Sequence, residues 1–215
     1  MRDVNECVVF DFDGTLVRRD SFFDFSLRYC LGRPERLALA VTLLPVAACF
    51  RLRSLAAAAS VLLWGMTLGV SGRRFHAELG RYAREVLPRL VNAAVFAELE
   101  RHLDAGRSVV VATGTLPVFV RTLLATRGVP RLRIAGTRLR RRFGGFVAET
   151  HCIGRTKLGE LERRFGITAW TTVYTDSYAD RALMRGAAEV VLVAPSRSTL
   201  ARARLLVHAP KLRVL

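Results

Sequence analysis

Cysteine is scarce and falls into no pairing pattern. Cys7, Cys30, Cys49 and Cys152 are scattered without a C-x-x-C spacing, which excludes a thiolate zinc site or a disulfide framework as the organising device. Such usage fits a reducing cytoplasm, and Cys7 and Cys49, set in apolar runs, read as small buried hydrophobes. The histidines His76, His102, His151 and His208 have no ligand spacing and take no chemistry. There is no internal repeat, and the N-terminal segment lacks the form of a signal peptide: its first apolar run is short and carries two aspartates. Acid is under-represented as well, with 18 Asp and Glu against 34 Lys and Arg, a formal charge of +16 supplied mostly by arginine. That balance points to nucleic acid, anionic lipid headgroups or phosphorylated substrates. Each cluster alone (Arg51/Arg53, Arg73/Arg74, the run from Arg131 to Arg142) reads as a solvated basic face. With 215 residues, 51% of them hydrophobic, the chain can bury a sizeable core and is not disordered. Its length suits an α/β domain with an insertion, or two small domains.

Against this background Asp11 and Asp13 stand out. They end the run Val8-Val9-Phe10-Asp11-Phe12-Asp13-Gly14-Thr15-Leu16. Cys7 to Phe10 read as a short buried strand. Two carboxylates and a glycine at its end imply a sharp turn presenting acid at the carboxyl edge of a sheet, where ligands bind in open α/β folds. Carboxylates this close repel unless a cation or proton lies between them, and Mg²⁺ favours carboxylate oxygens plus phosphate.

Further along, Ser21 to Leu31 read as an amphipathic helix capped by Asp20 or Ser21. Residues 37–50 and 55–72 are uncharged stretches separated by Arg51-Leu52-Arg53, and a polar helix from Arg73 to Leu87 stops at Pro88. Then the pattern alternates: helix 94–105, strand 108–112, helix 117–127, short strands between 131 and 146 around Gly144-Gly145, helix 157–166, strand 171–174, helix 178–187 and strand 190–193. Such alternation predicts an α/β fold with a doubly wound parallel sheet. Residues 19–88 break it as an all-helical insertion.

The apolar stretches pose a membrane question. As helices they span about 21 Å and about 27 Å, short of or marginal for a ~30 Å hydrocarbon core. Asp11 precedes them, while Thr113, Lys157 and Asp176 follow. If these share one site, both flanks lie on the same side and a single crossing is excluded. An interfacial helical cap, an ordinary buried cap and a two-pass hairpin remain; arginines at the hairpin tip argue against deep insertion. Trp64 reads equally as an interfacial anchor or cap core, and Phe22, Phe23 and Phe25 read as core.

Four strand-end elements now line up. D-F-D-G-T-L (11–16), V-V-V-A-T-G-T (109–115), Lys157 in G-R-T-K-L-G-E-L and Y-T-D-S-Y-A-D (174–180) resemble, in order and spacing, the four motifs of the haloacid dehalogenase-like hydrolases. The resemblance implies a Rossmann-like core over 1–18 and 89–215 and a helical cap over 19–88, as in the phosphoserine-phosphatase-like branch. The segments S-V-L-L-W-G-M-T-L-G (60–69), V-P-R-L-R-I-A-G-T (129–137), F-G-G-F-V (143–147) and H-C-I-G-R-T-K (151–157) are similar to the phosphatidylglycerophosphatase C group within that family. Thr115 departs from the family in replacing the small residue often found there.

The resemblance implies a Mg²⁺-dependent phosphomonoester hydrolase working through an aspartyl-phosphate. Asp11 would be the nucleophile and Asp13 the acid and base, its backbone carbonyl also on the metal. Thr113 and Gly114 would hold phosphoryl oxygens, and Lys157 would neutralise both Asp11 and the phosphoryl group. Asp176 would ligate Mg²⁺ and Asp180 would support that shell. Asp20 would position substrate, or serve only as a helix cap. The expected partner is a phosphorylated substrate, an anionic phospholipid such as phosphatidylglycerol phosphate, met at the cytoplasmic face of the inner membrane. A small metabolite such as phosphoserine is the alternative substrate. A non-enzymatic binder of nucleic acid or membrane is a third reading, against which the intact acid set argues; no nucleic acid partner is expected.

Overall fold

The computed structural model describes residues 6–52, 54–207 and 211–215. Arg53, expected at a basic hairpin tip, and His208 lie outside the described residues. Strand β1 (Cys7–Phe10) is followed by helices α1 (Ser21–Leu31), α2 (Pro34–Thr42), α3 (Leu44–Arg51), α4 (Leu55–Thr67), α5 (Gly72–Glu85) and α6 (Leu87–Leu90). Then come α7 (Ala93–Asp104), β2 (Ser108–Ala112), α8 (Pro117–Thr126), β3 (Arg133–Ala135), and the hairpin β4 (Arg138–Arg142) and β5 (Gly145–Thr150). The chain continues through α9 (Arg155–Phe165), β6 (Thr172–Thr175), a 3₁₀ turn at Tyr178–Asp180, α10 (Arg181–Gly186), β7 (Glu189–Leu192), α11 (Arg197–Leu206) and β8 (Leu212–Val214).

The main sheet has the order β3-β2-β1-β6-β7-β8, and every pairing in it is parallel. This is the α/β, doubly wound sheet expected from the alternation. Its strands are buried on both sides because successive residues face opposite layers. Val8, Phe10, Val109, Val111 and Tyr174 join a core with α1, α5, α7 and α8. Val9, Val110, Ala112, Val173 and Val190 join a second core with α9, α10 and α11. β1 lies between β2 and β6, so the winding direction reverses at β1. The carboxyl edge at such a reversal opens a crevice between the loops.

The final sheet strand and α11 were not anticipated from the pattern. β8 is three residues long, too short to carry a period, and is held by side chains from elsewhere. Arg213 donates to both carboxylate oxygens of Glu98 (3.0 and 3.3 Å), and the buried Tyr174 hydroxyl donates to the same carboxylate (2.9 Å).

The uncharged stretches are shorter as helices than they looked. Pro45 divides 37–50 by occupying the first turn of α3, where its missing N–H costs nothing. The resulting helices have nine, eight and thirteen residues, or roughly 14, 12 and 20 Å at 1.5 Å per residue. Among the described residues no helix is long and apolar enough to cross a membrane. Only Ala47 of α3 is buried and no residue of α2 is. Cys49, expected inside, is therefore exposed, whereas Cys7 is buried as expected.

The helices ahead of α7 are tied to the sheet layer through aromatic packing. Phe25 contacts Phe75, Tyr82 and Phe119 edge-on at 5.5–6.0 Å between ring centroids, and α5 packs along α8. The β4–β5 hairpin leaves the main sheet and packs against α4: Phe146 stacks on Phe75 (5.0 Å), and its N–H donates to Thr67 Oγ1 (2.8 Å).

Hydrogen bonds from Arg213, working against burial, hold the Glu98 carboxyl down from an ordinary 4.5 to about 2. Its stabilising contribution is complete above the higher of these values and is lost as pH falls through the lower one. Glu98→Gln is expected to remove about 2 kcal/mol at neutral pH, lowering Tm by roughly 4–8 °C. It is also expected to flatten the acid limb between pH 4.5 and 2, as thermal melts across pH will show.

Candidate active site

Asp11 immediately follows the fully buried strand β1. In register, Phe10 pairs with Val111 on one side and Tyr174 on the other. Parallel pairing therefore puts Asp11, the turn after Ala112 and the turn after Thr175 at one sheet edge. Gly14 turns the chain there with φ +72°, and a Cβ on it would collide with the Asp176 carboxylate. Only glycine satisfies both constraints, and its bareness lets Asp176 lean against the Asp13-Gly14 segment.

Lys157 reaches the same edge from the first turn of α9, which Gly154 launches from φ 58°. The lysine is buried; its Nζ lies 2.9 Å from Asp11 Oδ1 and 2.7 Å from Asp180 Oδ2. Burial opposes the ammonium charge, but Asp11 and Asp180 more than offset it, so the Lys157 pKa lies above its ordinary value. Asp11 Oδ1 also accepts from the Phe12 N–H (2.8 Å). Among the described residues, Asp11 Oδ2 has no protein donor.

Charge in this pocket is unbalanced. Burial raises the Asp11 carboxyl well above its usual range; Lys157 opposes this, while Asp180 and Asp13 add to it. Burial likewise pushes Asp13 up to about 7, against hydrogen bonding from Ser21, and raises Asp176. Four aspartates thus face one lysine in a desolvated place. Such a set favours a hard divalent cation. Among the described residues no three His, Cys, Asp or Glu side chains stand close enough to hold an ion by themselves. The donors present therefore fit Mg²⁺ as an ion that keeps waters and takes one or two carboxylates together with phosphate oxygens.

The expected site residues do not all behave alike. Asp11, Asp13, Asp20, Gly114, Lys157, Asp176 and Asp180 line one cavity. Thr113 does not: it is fully buried, and its hydroxyl accepts from the Thr115 N–H (3.1 Å), so it braces the turn. Asp180, expected to support the metal shell, accepts from Lys157 Nζ and from the Thr175 hydroxyl (2.9 Å). Asp20 accepts from the Phe23 N–H (2.8 Å), which satisfies the start of α1, while its residue also borders the cavity.

Ser21, read from the sequence only as a helix cap, and Thr115, read only as a departure, meet at the site. Ser21 N–H donates to Asp13 Oδ1 (2.8 Å), and Ser21 Oγ lies 3.0 Å from Thr115 Oγ1. The first turn of α1 thus orients Asp13 and is pinned to the loop after β2. The departure at Thr115 was the available signal, since a hydroxyl there needs a partner when buried.

The cavity holds about 940 Å³ and runs beyond the carboxylates. Its outer part lies between α1, α2 and α4, bordered by Phe22, Leu27, Ala40, Val41, Leu63 and Met66. Phe25 is buried as expected and Phe22 packs against the core while also bordering this space, but Phe23 borders it and is 67% exposed.

Comparison with known proteins fits the geometry. A protein of unknown function from Bordetella pertussis Tohama I superposes with a TM-score of 0.74 at 20% identity, over 99% of each chain. A phosphoserine phosphohydrolase-like protein from Francisella tularensis subsp. tularensis SCHU S4 gives 0.66 at 17%, over 98% of this chain and 94% of that one. A phospho-aspartyl intermediate analogue of phosphoserine phosphatase gives 0.58 at 17%, over 98% and 93%. These are likenesses of fold. The sequence family of haloacid dehalogenase-like hydrolases matches residues 8–185, a span that takes in Asp11, Gly114, Lys157 and Asp176 together, and the chain belongs to that family.

Proposed function

We propose that this hydrolase is a Mg²⁺-dependent phosphomonoesterase acting on a membrane phospholipid, phosphatidylglycerol phosphate being the substrate that best fits. The observation that carries this reading is the continuous cavity from Asp11 to the apolar cleft between α1, α2 and α4. Its volume is at the upper end for small-molecule sites. A small phosphorylated metabolite has no use for an apolar arm, whereas an acyl chain gains about 0.8 kcal/mol per buried methylene. Exposed Leu37, Val41, Leu44 and Phe50 on α2 and α3 support contact with the membrane surface from which such a substrate comes. Residues 19–88 then serve as a cap over the core formed by 1–18 and 89–215, working at the cytoplasmic face of the inner membrane.

The placements support the following chemistry. Asp11 Oδ2 attacks phosphorus, and the bond from phosphorus to the leaving oxygen breaks. Asp13, held by Ser21, gives its proton to that oxygen. Water then loses a proton to Asp13 and attacks phosphorus, the acyl-phosphate bond breaks, and inorganic phosphate leaves with Asp11 restored. Lys157 offsets charge on Asp11 and on the phosphoryl group, and Asp180 with Thr175 positions Lys157. The Gly114 N–H serves a phosphoryl oxygen. Bound Mg²⁺ would be held by Asp11, the Asp13 carbonyl and Asp176, and would supply Lewis-acid stabilisation of phosphoryl charge.

Asp11→Asn is expected to abolish phosphate release from phosphatidylglycerol phosphate, and Asp13→Asn to slow it by about 10²–10⁴-fold. Full turnover by Asp11→Asn overturns the nucleophile assignment.

Mg²⁺ at a hundredfold excess over its Kd is expected to stabilise the protein by about 2.7 kcal/mol, read as a Tm rise that Asp176→Asn loses. An equal rise in that variant removes Asp176 from the metal site.

Ala59→Trp, which fills the apolar arm, is expected to depress turnover of the phospholipid at least tenfold while sparing p-nitrophenyl phosphate. Equal loss on both substrates, or rapid hydrolysis of phosphoserine with none of the lipid, rejects the lipid reading.

A further inference from the structure

The β4–β5 hairpin is absorbed neither by the sheet nor by the catalytic edge. Its strands pair Arg140 with Val147, Arg141 with Phe146 and Arg142 with Gly145. The hairpin strands carry Arg138, Arg140, Arg141 and Arg142 but one acid, Glu149, which lies near Arg138 alone (3.7 Å), and Arg140, Arg141 and Arg142 are exposed. At the tip stands Phe143, 83% exposed and at φ 47°. A bulky side chain in the left-handed region costs about 1–2 kcal/mol, and an exposed Phe ring recovers none of that within the fold.

The tip is nevertheless built firmly. Trp64 Nε1 donates to the Phe143 carbonyl (3.2 Å), and Gly69 N–H donates to the Gly144 carbonyl (2.9 Å). A Cβ on Gly145 would come within 2.7 Å of the Trp64 ring, so the hairpin lies directly on α4. Phe146 is buried against Phe75 behind it. The Arg142 guanidinium lies 5.7 Å from the Phe143 ring. A rigid support therefore displays one apolar ring among arginines, on the helix that also borders the apolar cleft.

We propose that this hairpin is a docking surface for an anionic lipid bilayer, with Phe143 in the interfacial layer and Arg140, Arg141 and Arg142 on the headgroups. The inference rests on the membrane setting of the proposed function but does not require the lipid to be the substrate. Charge complementarity commits the partner to an anionic surface, since each basic residue near such a surface adds to binding. The aromatic tip directs that surface to be a bilayer, where an amphipathic interface receives a ring. Leu139 and Ala148 of the hairpin border the cavity, so docking here places the cavity beside the bilayer.

The test is co-sedimentation of the full chain with vesicles of three parts phosphatidylcholine to one part phosphatidylglycerol. The controls are pure phosphatidylcholine vesicles and a poly(U) RNA. The wild type is expected to sediment with the anionic vesicles and to be released by salt. The triple variant R140Q/R141Q/R142Q is expected to bind on the order of 100-fold more weakly. Phe143→Asn, which suits a left-handed backbone, is expected to lose about tenfold in binding with no loss of Tm, a combination a merely structural residue does not produce. Both variants should hydrolyse p-nitrophenyl phosphate as the wild type does. Wild-type vesicle binding by the triple variant, or loss of RNA binding with vesicle binding untouched, overturns the proposal. If vesicle binding depends on the hairpin while phosphatidylglycerol phosphate is not hydrolysed, docking stands and the substrate reading falls.

Discussion

Lys157 is the pivot of the molecule because it carries the cation that reaches the buried carboxylates of Asp11 and Asp180. Two aspartates at one sheet edge repel each other, and burial drives the Asp11 carboxyl toward the neutral acid. A single ammonium between them opposes that drive at Asp11. Breaking such a pair leaves an uncompensated buried charge, which is worth about 3–5 kcal/mol. The rest of the fold serves that contact. β1 is central so that Asp11 sits where the sheet reverses its winding, α9 begins at Gly154 so that its first turn delivers Lys157, and Thr175 holds Asp180 from behind. Even so, at the inner end of the cavity, away from the exposed Arg18, Arg19 and Asp20, four acids stand against one lysine, the physical reason this edge suits a divalent ion and a phosphoryl group in partnership.

A second constraint shapes the helices above the edge. An apolar space of this size inside a protein collapses unless its walls are held apart. Here the walls are fixed from outside: Phe25, Phe75, Tyr82 and Phe119 lock α1 and α5 to α8. α2 and α3 lean on α4 with little of their own surface buried. Their exposed leucines, valines and Phe50 leave apolar surface facing water.

Much of the architecture was legible because the relevant signals are local. Cys7–Phe10, Ser108–Ala112 and the strands near 172 and 190 are short apolar runs ending in turn residues, and the helices between them carry clear periodicity. Asp11, Asp13, Lys157, Asp176 and Asp180 were visible because each follows such a boundary. The misses have physical causes too. β8 is too short for a pattern and depends on Arg213 finding Glu98, 115 residues away in sequence. That the Thr113 hydroxyl accepts from the Thr115 amide is likewise a contact only the folded turn creates. Phe23 looked like core because hydrophobicity does not distinguish a residue facing protein from one facing a cavity.

What the chain's order of residues determined by itself was the set of elements and which residues would stand at their ends, since turns, caps and strand periodicity are decided by neighbours within a few positions. Only the tertiary structure decided which of those ends meet, at what separation, and with what around them. It set Lys157 between Asp11 and Asp180, drew Ser21 onto Asp13, and opened the cleft between α1, α2 and α4. Those outcomes depend on parallel register and on packing between segments far apart in the chain, and no local pattern encodes either.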